Sequence, residues 1–139
     1  MNSIDGKSLS TVPKWDGAQD TCARYIAQVM ALSEYYDCGD TMDSVAMGNC
    51  PTKTEYEAIG ANPAGNDLKR ALLWRQNKSM CAILTLGQAS DHGLAVIQKT
   101  VTADFPQGKA YRVIEMLMAK NKPKDVSAEI ELDAELEKV

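Results

Sequence analysis

Lys99-Thr-Val-Thr-Ala-Asp104-Phe-Pro106-Gln-Gly108-Lys-Ala110-Tyr111-Arg-Val-Ile-Glu-Met-Leu117-Met-Ala-Lys120-Asn-Lys122-Pro123 begins as a turn and continues as a helix. Asp104, Pro106 and Gly108 are turn residues for three separate reasons: a side chain that bonds its own backbone, a fixed φ, and freedom at positive φ. Beyond them Ala110, Val113, Ile114, Leu117 and Met118 recur at helical spacing, and that spacing marks one buried face. Pro123 stops the pattern, because its ring and missing amide break an α-helix. Upstream, residues 67 to 86 give the longest helical period, with Leu73, Asn77, Met80 and Leu84 on one stripe. No run alternates with period two, no Asn-Gly hairpin occurs and no segment repeats. The predicted fold is all-α, a compact bundle of about five to seven helices.

The rest of the chain fits that class. Cys22, Tyr25, Ile26, Val29 and Met30, continuing to Tyr36, predict a first helix with Asp20 as its N-cap. Cys38-Gly39-Asp40 breaks it, and one or two helical turns follow over Thr41 to Met47, ended by Gly48-Asn49. Thr52 and Glu55 have capping-box spacing and open a brief helix that the Gly60 to Gly65 loop ends. Ser90 caps a further helix carrying Leu94, Ile97 and Val101. Residues 1–14 are polar and aperiodic and read as a flexible arm. Residues 15–139 read as one domain. In its last segment, 125–139, Val126 pairs with Ile130, and Leu132 with Leu136, at i,i+4 with acids between.

A chain of 139 residues is the size of one domain. With 45% hydrophobic and 24% charged residues it has an ordinary globular composition. No apolar run nears the roughly 20 residues that span a bilayer, and Met1 to Lys14 has no signal-peptide core. Cys22, Cys38, Cys50 and Cys81 match no zinc spacing, and His92 is the only histidine. The expectation is free, buried thiols in a reducing, intracellular and cytoplasmic setting. A net charge of −4 argues against a broad basic surface for nucleic acid. The small basic groups Lys69-Arg70, Arg75 and Lys78, and Lys120, Lys122 and Lys124, read as solvated helix faces.

No catalytic constellation emerges from these residues. Asp104 has no second carboxylate, paired His or nucleophile beside it, so it reads as turn and cap chemistry. His92, between Asp91 and Gly93, reads as a first-turn surface residue. Met116 and Met118, like Trp15 and Trp74, are each either core or contact surface. The glycines form no phosphate-binding loop. Asn77 is the most informative polar residue. It is either an exposed amide at the edge of its stripe or a buried one bonded to the backbone of a loop. An unpaired amide there would cost about 1–3 kcal/mol.

The Asp104-x-Pro106-x-Gly108-x-Ala110 turn, the following helix with Tyr111 and Leu117, and the Lys120 to Pro123 ending resemble the Gag (capsid) region of copia-type LTR retrotransposons. The similarity is strongest over 68–123 and reaches back more weakly to Lys14-Trp15-Asp16-Gly17. That resemblance implies a fold like an N-terminal capsid domain and favours the clamp role for Asn77. It implies an architectural motif of Asn77, Asp104, Pro106, Gly108, Ala110 and Pro123, with no catalytic residue, metal or cofactor. It implies copies of itself as the partner in a weak homo-oligomer, the rest of a Gag polyprotein as a further partner, and 125–139 as the start of a following helix cut short. The two i,i+4 pairs of that segment lie on different faces, so one pair is left for a neighbour, and Leu132 and Leu136 are the self-association candidates. RNA contact would be weak at most, given the net charge of −4 and the lack of the zinc knuckle that such polyproteins carry, and the absence of a spanning apolar run argues against membrane contact. The chain would then be an excised capsid portion or a host-retained Gag remnant. The alternative is a cellular helical adaptor that binds a protein partner through an exposed helix face.

Overall fold

The computed structural model describes residues 12–121. Its described residues form six α-helices and one 3-10 turn, with no strand. In chain order these are α1 (Gln19–Tyr35), the 3-10 turn Gly39–Met42, α2 (Ser44–Met47), α3 (Lys53–Ile59), α4 (Gly65–Leu86), α5 (Asp91–Gln98) and α6 (Ala110–Lys120). The protein is all-α.

Local chemistry accounts for most helix starts. Thr52 accepts from the Glu55 amide at 3.3 Å and Glu55 accepts from the Thr52 amide at 3.0 Å, a complete capping box on α3. Ser90 accepts from the Gly93 amide at 3.1 Å and starts α5. The Asp43 carboxylate accepts from the Val45 amide and starts α2.

Two expected boundaries shift. Asp20 is not the cap of α1 but lies in its first turn. The N-cap is Ala18, without a side-chain cap, and Asp16 orders the entry to the helix by accepting from the Ala18 amide and the Thr21 hydroxyl, both at 2.9 Å. Those two bonds hold the Asp16 carboxyl below its ordinary range, the Ala18 amide more than the Thr21 hydroxyl. At the other end, α5 stops at Gln98 and does not reach Val101, which is partly exposed. The Thr100 hydroxyl donates back to the Ile97 carbonyl at 2.8 Å. A side chain bonding its own backbone in this way competes with helix continuation.

The arm drawn at residues 1–14 also ends earlier than expected. Val12 is only 4% exposed. The chain from Val12 runs along the end of α4, where Trp15 donates to the Gly87 carbonyl at 2.8 Å and accepts from the Ala89 amide at 3.0 Å. These two bonds form a single parallel bridge between Trp15 and Gln88. Trp15 is buried and stacks on Tyr25 at 5.9 Å, and the Tyr25 hydroxyl accepts from the Gln88 side chain at 2.9 Å.

The main core gathers Val12, Trp15, the inner face of α1, the second half of α4, and the buried faces of α5 and α6. A smaller cluster of Met47, Cys50, Leu73, Trp74 and Phe105, flanked by Tyr56 and Tyr111, fills the space under α3. Trp15 and Trp74 are therefore core residues, one in each cluster.

Gly87 lies where the N-terminal segment crosses, and a Cβ there would collide with the Pro13 carbonyl oxygen. Gly87→Ala should force the segment off α4 and lower stability by about 1–3 kcal/mol. Urea unfolding of the full chain measures this, and a midpoint equal to the parent's would show that the crossing does not contribute.

Candidate functional site

The stripe on α4 reads as the sequence implies: Leu73, Asn77, Met80 and Leu84 are all buried. Asn77 is 0% exposed and makes both bonds of a clamp. Its Nδ2 donates to the Gly108 carbonyl at 2.9 Å, and its Oδ1 accepts from the Ala110 amide at 3.0 Å. The partners lie 31 and 33 residues further along the chain. The residue preceding α6, Lys109, supplies no side-chain cap. Asn77 therefore serves as the cap of α6 from a different helix, filling one of the amide vacancies that every helix N-terminus carries.

Two neighbours complete the arrangement. Cys81, one turn further along α4, lies 3.8 Å from Asn77 Oδ1 with its thiol as donor. Burial, with a smaller contribution from Cys50, pushes this thiol up to about 12, so it stays protonated at neutral pH. Thr100 is 5% exposed, and its hydroxyl accepts from the Lys109 amide at 3.1 Å. Gly108 sits between the two at φ +99°, and a Cβ there would approach the Thr100 hydroxyl oxygen to 2.6 Å. Only glycine combines that backbone angle with that contact.

The turn residues divide their work differently from the sequence reading. The Asp104 side chain is exposed and does not act as the cap; its main-chain carbonyl accepts from the Lys53 amide at 2.8 Å. The cap within the turn is Thr102, whose hydroxyl accepts from the Phe105 amide at 3.1 Å. Thr102 precedes Phe105 by three residues, so its oxygen reaches that amide without straining the chain. Pro106 is exposed, and Ala110 is fully buried at the start of α6. Phe105 enters the smaller cluster with its ring 5.9 Å from Trp74, and the Lys109 ammonium stands 4.4 Å from the centre of the Phe105 ring. Pro123, Leu132 and Leu136 lie outside the described residues.

The remaining candidates have simple placements. His92 is exposed in the first turn of α5 with its ring tilted against Trp15 at 5.9 Å. All four cysteines are free and buried. No group of three potential metal ligands forms among the described residues. Arg70 pairs with Glu55 at 3.3 Å, and Arg75 donates to the Tyr56 hydroxyl at 3.0 Å, so both basic side chains brace α3 against α4. Met116 is half-buried against the main core, while Met118 is 56% exposed. Thr100 and the Trp15–Gln88 bridge escape a sequence reading, because neither residue sits on a periodic stripe or in a turn motif.

Searches against known protein families, curated proteins and solved structures find no match to this chain. The copia-type resemblance accordingly rests on the residues quoted for it.

Asn77→Ala should cost about 1–3 kcal/mol, since it leaves the Gly108 carbonyl and the Ala110 amide buried and unpaired. Asn77→Asp adds a pH signature. The carboxyl keeps an acceptor for Ala110 but faces the Gly108 carbonyl, so the fold favours its protonated form and raises its pKa. The variant's deficit should therefore be small in acid and grow as pH rises above the ordinary carboxylate value of about 4. Denaturant midpoints across pH provide the check, and a deficit independent of pH would place residue 77 in contact with water.

The raised Cys81 thiol carries its own sign. Its contribution is fully present below the ordinary thiol value of 9.0 and is lost as pH rises toward about 12. Cys81→Ser keeps a donor to Asn77 without that titration, so the decline in stability above pH 9.0 should be shallower than in the parent. Identical alkaline slopes would show the thiol ionising freely.

Proposed function

We propose that the chain is a structural, self-associating Gag/capsid-like domain of a copia-type retrotransposon, or a Gag-derived remnant, that acts by contact between copies and not by catalysis. The observation that carries this reading is the Asn77 clamp. Asn77, Gly108 and Ala110, three members of the architectural motif that the resemblance implies, meet in one buried hydrogen-bonded arrangement. A buried side chain that bonds the backbone of a distant turn is the kind of fixture an assembly domain needs. Its requirement is a fixed helix geometry from which contacts can repeat.

The partners on this reading are further copies of the chain and the rest of a Gag polyprotein, in an intracellular setting. RNA contact would be weak and would fade with salt, because a net charge of −4 offers few phosphate neutralisations. Self-association is assigned to Leu132 and Leu136, one of two apolar pairs on the acidic C-terminal segment. An apolar anchor within a polar rim is the usual anatomy of such contacts.

Sedimentation of the full chain across concentration, with electron microscopy of the concentrated sample, tests the proposal. The expected result is a weak monomer–dimer equilibrium that shifts to monomer in Leu132→Asp/Leu136→Asp. A strict monomer at every concentration, unaffected by the double change, would overturn it and favour the adaptor that binds a different protein through an exposed helix face.

A further inference from the structure

A groove of about 670 Å³ runs between α1 and α6. Its walls are Cys22, Ala23, Ile26 and Ala27 on one side and Met118 and Ala119 on the other, with Glu115 the only charged lining residue among those described. Asn121, the last described residue, lies at its end. We propose that this groove is the seat of the chain's own C-terminal segment, with Val126 and Ile130 filling it.

Three observations select that occupant. The first is where the chain leaves. The Asn121 amide and side chain both bond the Leu117 carbonyl, at 2.9 and 3.2 Å, and so close α6 beside the groove. Pro123 forbids continuation of the same helix. Lys122 to Lys124 number three, and antiparallel helix pairs are joined by about 2–5 residues, so the sequence leaves room for the following segment to turn back.

Reach is the second. The groove spans Cys22 to Ala27 on α1 and Glu115 to Asn121 on α6, about two turns of each helix. Val126 and Ile130 are one turn apart, and at a helical rise they stand about 6 Å from one another. They are also the first apolar side chains after Lys124, so they meet the groove before Leu132 and Leu136 do.

The third is the two-sided pattern of the segment. At about 100° per residue, Val126, Ile130 and Ala134 share one face, and Leu132, Leu136 and Val139 lie roughly opposite. Seating the first face leaves the second turned outward. A three-residue tether also gives the chain's own segment an effective concentration near millimolar, which a second copy does not match in dilute solution. The inference stands apart from the copia reading and uses a different apolar pair from the one assigned to self-association.

Amide hydrogen exchange of the full chain, parent against Val126→Asp/Ile130→Asp, is the test. With the segment seated, amides of Ala23, Ile26, Ala27, Met118 and Ala119 should exchange on the order of tenfold faster in the variant. Those of Leu73 to Leu84 should stay unchanged, and Leu132→Asp/Leu136→Asp should leave the groove amides as in the parent. Equal rates at the groove in parent and variant would overturn the proposal. Protection that disappears on dilution of the parent would also overturn it, by making a second copy the occupant. Should the double charge change unfold the protein, a spin label on Ser127→Cys decides the matter, because the native thiols are buried. Broadening at Ala23, Ile26 and Ala119 that persists when labelled chain is diluted with unlabelled chain supports the seat, and its absence rejects it.

Discussion

The amide of Asn77 spans the longest stretch of sequence of any buried polar side chain among the described residues. Ser33, Thr41, Thr100 and Asn121, the other four, each donate to a carbonyl three or four residues back and so satisfy themselves locally. Asn77 instead reaches more than thirty residues ahead, and with both halves of its amide. The position of α6 relative to α4 depends on that choice. Without it, the turn at Gly108 and the start of α6 would hold an unpaired carbonyl and an unpaired amide in a space that water does not reach, and each such group is costly.

The clamp also joins the two apolar clusters. Along α4, Leu73 and Trp74 belong to the smaller one and Met80, Ile83 and Leu84 to the larger, with Asn77 between them. The turn it grips is equally divided, since Phe105 packs on Trp74 while Ala110, Val113 and Ile114 enter the main core. A single polar side chain thereby sets the register of both clusters at once. A hydrophobic residue at 77 could fill the same volume, but many rotations of α6 would satisfy it. The directional bonds admit one.

Much of this was legible in the sequence, and the reasons are physical. Helical stripes on α1, α4 and α6 are local patterns, and so are the capping box at Thr52 and Glu55 and the cap at Ser90. An amide on an apolar stripe singles out Asn77 as either an edge residue or a buried clamp, and the structure shows the clamp. What could not be read depends on contacts between distant segments. Val12 is buried because Trp15 bonds Gly87 and Ala89, more than seventy residues away, and nothing in residues 12–15 advertises that. Thr100 looks like one more polar residue inside a helix that runs on to Val101, yet its hydroxyl bonds back to Ile97 beyond the end of α5 and supports the amide of Lys109. Asp104 shows the opposite error: a side chain with the right chemistry for a cap is left in solvent because Thr102 reaches the Phe105 amide instead.

The consequence for function lies in how α6 is held. Its first turn is fixed by Asn77 and Thr100, and near its last turn the Cys22 thiol of α1 lies 4.0 Å from the Leu117 carbonyl. The thiol is a weak donor at that distance, but the pairing shows how closely the two helices approach, and Leu117 is buried between them. Whatever follows Asn121 is therefore launched from a helix secured at both ends. A domain that works by repeated contact needs this property, because an interface carried on a loosely held helix would lose affinity to the ordering it must first undergo. The buried polar groups thus fix the launch point, and on the proposed assembly reading the contact itself falls to the segment that α6 launches.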